Sequence, residues 1–218
     1  MTLGKRKMIQ TEQVFAQELY SPGYLLVDVP QDVREDISKH INRIIEDTDS
    51  TRNLREYLRG HVENQFELPV ENSLETFALD MAANYFAKFG EHPDSANRKD
   101  SQLPVYELNN AWVNFQKKGD FNPLHHHTGS YSFVIWVRVP YKIEDEQARY
   151  ADVNGNEAAS FNFYYTDAYG GIASVNLPVD ETFEWKCAFF PSRLNHSVNP
   201  FSTSDEYRIS VSGNVFAK

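Results

Sequence analysis

The chain has 218 residues and a formal charge of −10. That length suits one domain, and a 41% hydrophobic content is enough to bury a core, so disorder is excluded for most of the chain. The acidity argues against a surface that grips phosphate backbones. The single cysteine, Cys187, rules out a disulfide framework. Residues 1–10 (MTLGKRKMIQ) lack the apolar stretch of a signal peptide, and no run nears the roughly 18 apolar residues of a membrane span. The expectation is a cytoplasmic protein with no membrane partner.

The first half reads as helical after one early strand over 23–29 (GYLLVDV). Asp32 and Glu35 have capping-box spacing and lead into Val33, Ile37, Ile41 and Ile44 at helical intervals. A second helix is predicted over 53–65, with Leu54, Leu58 and Val62 on one face. A third opens at Asn72, with Glu75 three residues on. It carries Leu74, Phe77, Met81, Tyr85 and Phe89 and stops at Gly90. Residues 92–101 are polar and read as a loop.

From about residue 104 the pattern changes to short aromatic and β-branched runs divided by turn signals. Strands are predicted at 111–116, 124–127, 131–139, 160–166, 172–176, 186–190, 196–199 and 207–215. Eight strands is the number of a jelly roll. In the last, Ile209, Val211 and Val215 alternate with Arg208, Ser210, Ser212 and Asn214; a polar inner face points to a lined cavity. The predicted class is therefore mainly β with N-terminal helices: one domain over 1–218, its 1–103 part helical and buttressing a jelly-roll core over 104–218.

Three of the seven histidines are consecutive, His125, His126 and His127. On a strand His125 and His127 share a face, about 6.5–7 Å apart, and His126 points away. A polar turn and a pair of metal ligands both suit that spacing. His196 enters a strand after a Pro-Ser turn, and in a jelly roll that strand neighbours the one carrying His125. Three imidazoles on one face of an octahedron leave three positions open, an arrangement used for non-haem Fe(II) and oxygen. Arg208 heads the last strand on its polar face. A buried guanidinium needs an anion, which is either the carboxylate of a small cosubstrate or an acidic neighbour. Asn114 and Trp136, on flanking strands, offer further contacts or simply pack. Tyr131, Phe161, Phe163 and Tyr165 either hold a substrate or belong to the core.

Trp112-Val113-Asn114, Lys118-Gly119-Asp120, His125-x-His127, Ser132 before VIWV, FPSRLNHSV and Arg208-Ile209-Ser210 follow in that order. In this order they resemble the 2-oxoglutarate/Fe(II)-dependent oxygenases, in a branch common in phages and marine bacteria and distantly related to prolyl hydroxylases. The likeness covers about residues 105–216. It implies a double-stranded β-helix, Fe(II) on His125, His127 and His196, and 2-oxoglutarate on Arg208, with hydroxylation of an unactivated C–H bond and release of succinate and carbon dioxide. If the chain is phage-encoded, the compartment is the host cytoplasm. The wider superfamily usually carries His-x-Asp where this chain has His125-x-His127. In a second registration His127-Thr128-Gly129 is a His-x-Gly motif, and His125 is a bystander. Asp120 is a poorly placed alternative carboxylate ligand.

Two other readings use the same residues. A cupin-like three-His dioxygenase would work without 2-oxoglutarate, with Arg208 on the substrate's own carboxylate. A jelly-roll binding or structural protein would keep the barrel without catalysis. Peptidyl proline, free amino acid, sugar, lipid and nucleobase all suit an aromatic-lined mouth, and the negative charge disfavours nucleic acid.

Overall fold

A computed structural model describes residues 23–57, 60–89, 105–153 and 157–218. Its strands are β1 (Leu25–Asp28), β2 (Asn64–Leu68), β3 (Tyr106–Gln116), β4 (Asn122–His125), β5 (Tyr131–Arg138), β6 (Phe161–Thr166), β7 (Ile172–Leu177), β8 (Lys186–Pro191), β9 (Asn195–Val198) and β10 (Arg208–Ala217). They form two antiparallel sheets, one ordered β1-β8-β5-β10-β3-β2 and the other β4-β9-β6-β7. These sheets face each other as a double-stranded β-helix, the jelly roll expected from the spacing of the short strands.

Helices α1 (Gln31–Glu46) and α2 (Asn72–Phe89) lie against the outer face of the six-stranded sheet. The periodic residues Val33, Ile37, Ile41 and Ile44 of α1 and Leu74, Phe77 and Tyr85 of α2 are all buried there, packed with Val113, Ile135, Phe189 and Val211. Each such side chain contributes roughly 1.5–3 kcal/mol on burial. The capping box does not form. Helix α1 starts at Gln31 behind Pro30, with no side-chain cap, and Asp32 sits inside the first turn. Val29 is still held by the sheet, its N–H donating to Trp185 O at 2.8 Å, so the chain turns directly from pairing into helix. A third helix, α3 (Ile143–Ala148), follows β5. Among the described residues no helix is long and apolar enough to cross a membrane.

The described residues of 53–65 do not form the predicted helix. Among them the stretch holds a single 3₁₀ turn at Arg55–Tyr57, and its end becomes β2. Asn53 bridges Phe66, Leu54 N–H donates to Gln65 O, and β2 pairs with β3 from Asn64↔Phe115 to Leu68↔Ala111. Pairing supersedes the helical spacing because NQFEL alternates: Phe66 and Leu68 enter the core, while Gln65 and Glu67 face a cavity. The N-terminal half thus adds two strands, β1 and β2, to the sheet it buttresses. Leu58, Gly90 and the loop over 92–101 lie outside the described residues.

The eight strands expected after residue 104 are all present, with shifted ends. The shift that matters is at β4, which stops at His125, so His127 lies beyond the strand. Pro123 falls where the β4–β9 register slips between Asn122 and His125. A proline cannot donate to the ladder, and the slip accommodates it.

Candidate metal centre

His125 and His196 are direct cross-strand partners on β4 and β9. His127 joins them from the turn, its backbone N–H held at 2.8 Å by the carbonyl of Ser192. The nearest ligand atoms of His125, His127 and His196 all lie within 4.8 Å of one another. His126 is exposed. The trio expected from strand parity is therefore assembled, although His127 reaches it by a turn and not by the pleat.

The ring orientations suit a metal. Nδ1 of His125 lies 2.7 Å from Pro123 O, and Nδ1 of His196 lies 2.9 Å from Leu194 O. A carbonyl only accepts, so each Nδ1 carries the proton and each Nε2 keeps its lone pair. Backbone carbonyls behind ligating imidazoles are the usual outer support of a metal site. Phe161 stacks on His196 at 5.4 Å between centroids and Phe190 meets it at 4.9 Å, an apolar collar around that ring. Burial, then the neighbouring His125 and His126, pushes the His127 imidazole down to about 4. Burial, then His125 and His127, pushes His196 well below its ordinary range. Both are neutral at pH 7, so an ion need displace no proton from them.

A cavity of about 500 Å³ opens in front of the imidazoles. Asn114 and Trp136 line it, as does Phe161; Tyr131 and Phe163 belong to the two cores. Tyr165 is half-buried against the core between the sheets. Gln65 Nε2 donates to Asn114 Oδ1 at 2.8 Å, tying β2 to the cavity wall.

Arg208 is 1% exposed and sits one layer behind Gln116, which does line the cavity. Its Nε donates to Gln116 Oε1 at 3.0 Å, and its terminal nitrogens donate to Tyr141 Oη, Ala159 O and Asn199 O. These partners are all neutral. Asp120 is not at the centre: its Oδ2 accepts from the backbone N–H groups of Glu63 and Lys117, closing the turn before β4. Gly129 has a backbone reason to be glycine. Its φ is +99°, and a Cβ there would meet Val215 O at 2.9 Å.

Sequence reading passed over Asn122, whose Nδ2 donates to His125 Nε2 at 3.2 Å, and Ser192, which braces His127. Asn122 left a trace, a carboxamide three residues before His125; Ser192 left none, because its role exists only across strands.

Residues 110–214 match the family described as "Putative 2OG-Fe(II) oxygenase". No curated protein matches the chain in sequence. Among solved structures, the chain is similar to a Pseudomonas putida prolyl-4-hydroxylase, at 14% identity and TM-score 0.50, covering 90% of this chain and 94% of that one. It is also similar to the non-haem α-ketoglutarate-dependent epimerase SnoN of nogalamycin biosynthesis, at 14% identity and TM-score 0.55, covering 90% and 77%. A third likeness is to OsALKBH1, at 15% identity and TM-score 0.52, covering 91% and 100%. At these identities the structural likeness is one of fold.

Proposed function

We propose, for a chain whose residues 110–214 match the family described as "Putative 2OG-Fe(II) oxygenase", that it hydroxylates a C–H bond of a small molecule or peptide at the three-imidazole centre. The observation that carries this reading is the convergence of His125, His127 and His196, with the Nδ1 protons of His125 and His196 tied back to backbone carbonyls.

Fe(II) with 2-oxoglutarate supplies, when bound, the activation of oxygen, with conversion of the cosubstrate to succinate and carbon dioxide. The residues of the chain do the rest. His125, His127 and His196 would hold the ion, each offering one imidazole nitrogen to it. Phe161, Phe190 and Trp136 keep water from that side of the cavity. Arg208 carries a full positive charge among neutral oxygens. A cosubstrate carboxylate at the Gln116 end of the cavity would reach that charge through Gln116, whose Oε1 accepts from Arg208 Nε, and Asn114 would orient the same molecule.

Anaerobic titration of the protein with Fe(II) and then 2-oxoglutarate tests the reading. The expected result is a weak visible charge-transfer band that needs both additions, followed by succinate release in air. No band, with no metal retained, sinks the proposal. Oxygen uptake indifferent to 2-oxoglutarate replaces it with the cupin-like three-His reading.

A further inference from the structure

The wall of the cavity that faces away from the core has a chemical character of its own. The strand registers set it out in rows. Gln65, Asn114 and Ser210 lie level across β2, β3 and β10; Glu67, Trp112 and Ser212 form the next row; Asn110 and Asn214 form the third. All of them line the cavity. One indole thus stands between two rows of carboxamides, with its ring centroid 5.6 Å from that of His127.

The charge of this wall is balanced. Apart from the histidines, the only charged side chains among the described lining residues are Arg52 and Glu67, and these approach each other at 3.7 Å. Both are more than half exposed, so aside from the histidines the sheltered part of the wall carries no charge. Carboxamides both donate and accept, as hydroxyl groups do, so they match a molecule rich in hydroxyls better than one carrying ionic groups. Trp112 offers a flat apolar face. A ligand that fits both features is apolar on one face and hydroxylated around its edge. It must also present saturated C–H bonds beside His127, where a planar base has few.

We infer that the substrate-side wall is a subsite for a neutral sugar ring, seated on Trp112 and bonded at its edge by the carboxamides of Asn110 and Asn214. This rests on the oxygenase reading above and narrows its substrate class.

The test uses the full chain loaded with Zn(II), which is diamagnetic, and 2-oxoglutarate. Saturation-transfer NMR is run against methyl β-D-glucopyranoside, methyl β-D-galactopyranoside, methyl α-D-mannopyranoside and methyl β-D-xylopyranoside. Adenosine, N-acetylprolinamide and glucuronate serve as comparators. The expected result is transfer to the ring protons of at least one glycoside, with glucuronate weaker. Trp112→Ala and Asn110→Leu each weaken it about tenfold, the loss of one good contact; Asn110 is exposed at the mouth, so its replacement spares the fold. Silence from all four glycosides overturns the inference. So does transfer unchanged in both variants, or a stronger response from adenosine or N-acetylprolinamide. The 2-oxoglutarate signals in the same spectra separate the two claims. If they show transfer while the glycosides are silent, only the sugar subsite fails. If they too show none, the oxygenase reading falls, and the subsite with it.

Discussion

His127 is the residue at which this centre departs from the commoner His-x-Asp pattern. It comes from a turn fixed by Ser192, not from the strand that carries His125. If all three imidazoles hold the ion, His127→Asp retains iron, while His125→Ala and His127→Ala are similarly depleted, because two ligands remain in each. Metal content measured side by side decides; normal iron in His125→Ala alone would restore the His127-Thr128-Gly129 registration. Arg208 poses a second question at the same scale. Its guanidinium donates to four neutral oxygens, so deleting it strands those acceptors and costs about 2–5 kcal/mol of stability. Arg208→Lys is the cleaner probe, because it keeps the charge and loses the fork. We expect retained metal and 2-oxoglutarate affinity down by about tenfold or more. Unchanged affinity by calorimetry makes Arg208 a structural residue only.

Two connecting segments hold the elements in place. The first is the chain before β2, which closes the gap between the sheets. Asn53 bridges Phe66 of β2, and His61 bridges Phe121 just before β4. Gly60 is the contact point: a Cβ there would meet Phe121 O at 2.4 Å and Asn122 Cα at 2.7 Å, both backbone atoms. Gly60→Ala must push this segment off β4, with a loss of about 1–3 kcal/mol in denaturant unfolding. Metal affinity should fall with it, because Asn122 and His125 move together. The second segment follows β9. Glu146 of α3, itself buried, accepts from the N–H and hydroxyl groups of both Ser202 and Thr203. Burial pushes its carboxyl up, but these four donors outweigh burial and hold it below the ordinary glutamate range. The stability from this carboxylate is therefore complete above the ordinary glutamate range and lost as pH falls through the lowered value. Glu146→Gln should cost about 1–3 kcal/mol at pH 7, and the gap to the parent should narrow in melts taken at an acid pH below that lowered value. An equal gap at both pH values would assign the loss to packing.

The molecule as a whole places its centre on the seam between two sheets. The imidazoles belong to the four-stranded side, whereas Asn114, Trp136 and Arg208 belong to the six-stranded side. A ligand set that spans the seam binds the folded state and not the unfolded chain. At 100 times its dissociation constant such a ligand adds about 2.7 kcal/mol. For a chain of this size that corresponds to a rise in melting temperature of roughly 5–10 °C. We expect a shift of this order with Fe(II) and 2-oxoglutarate together under anaerobic conditions, its reversal by chelator, and its absence in His196→Ala. A full shift in His196→Ala would place the metal elsewhere.

The periodic signals were enough, before any tertiary knowledge, for the class of fold, helices α1 and α2 and the run of strands after residue 104. These features depend on short-range alternation, and burial preserves it: Ile37 and Phe77 are core for the reason their spacing implies. The register of β4 against β9 decided what spacing could not, that His125 faces His196 directly while His127 arrives from a turn. Long-range pairing also decided β2. The helical spacing of Leu54 and Val62 was real, but backbone hydrogen bonds to β3 and to residues 52–54 outcompeted it. Arg208 shows the same division. Its place on the polar face of the last strand was legible, but its neutral partners come from four separate parts of the chain, Gln116, Tyr141, Ala159 and Asn199, which only folding brings together.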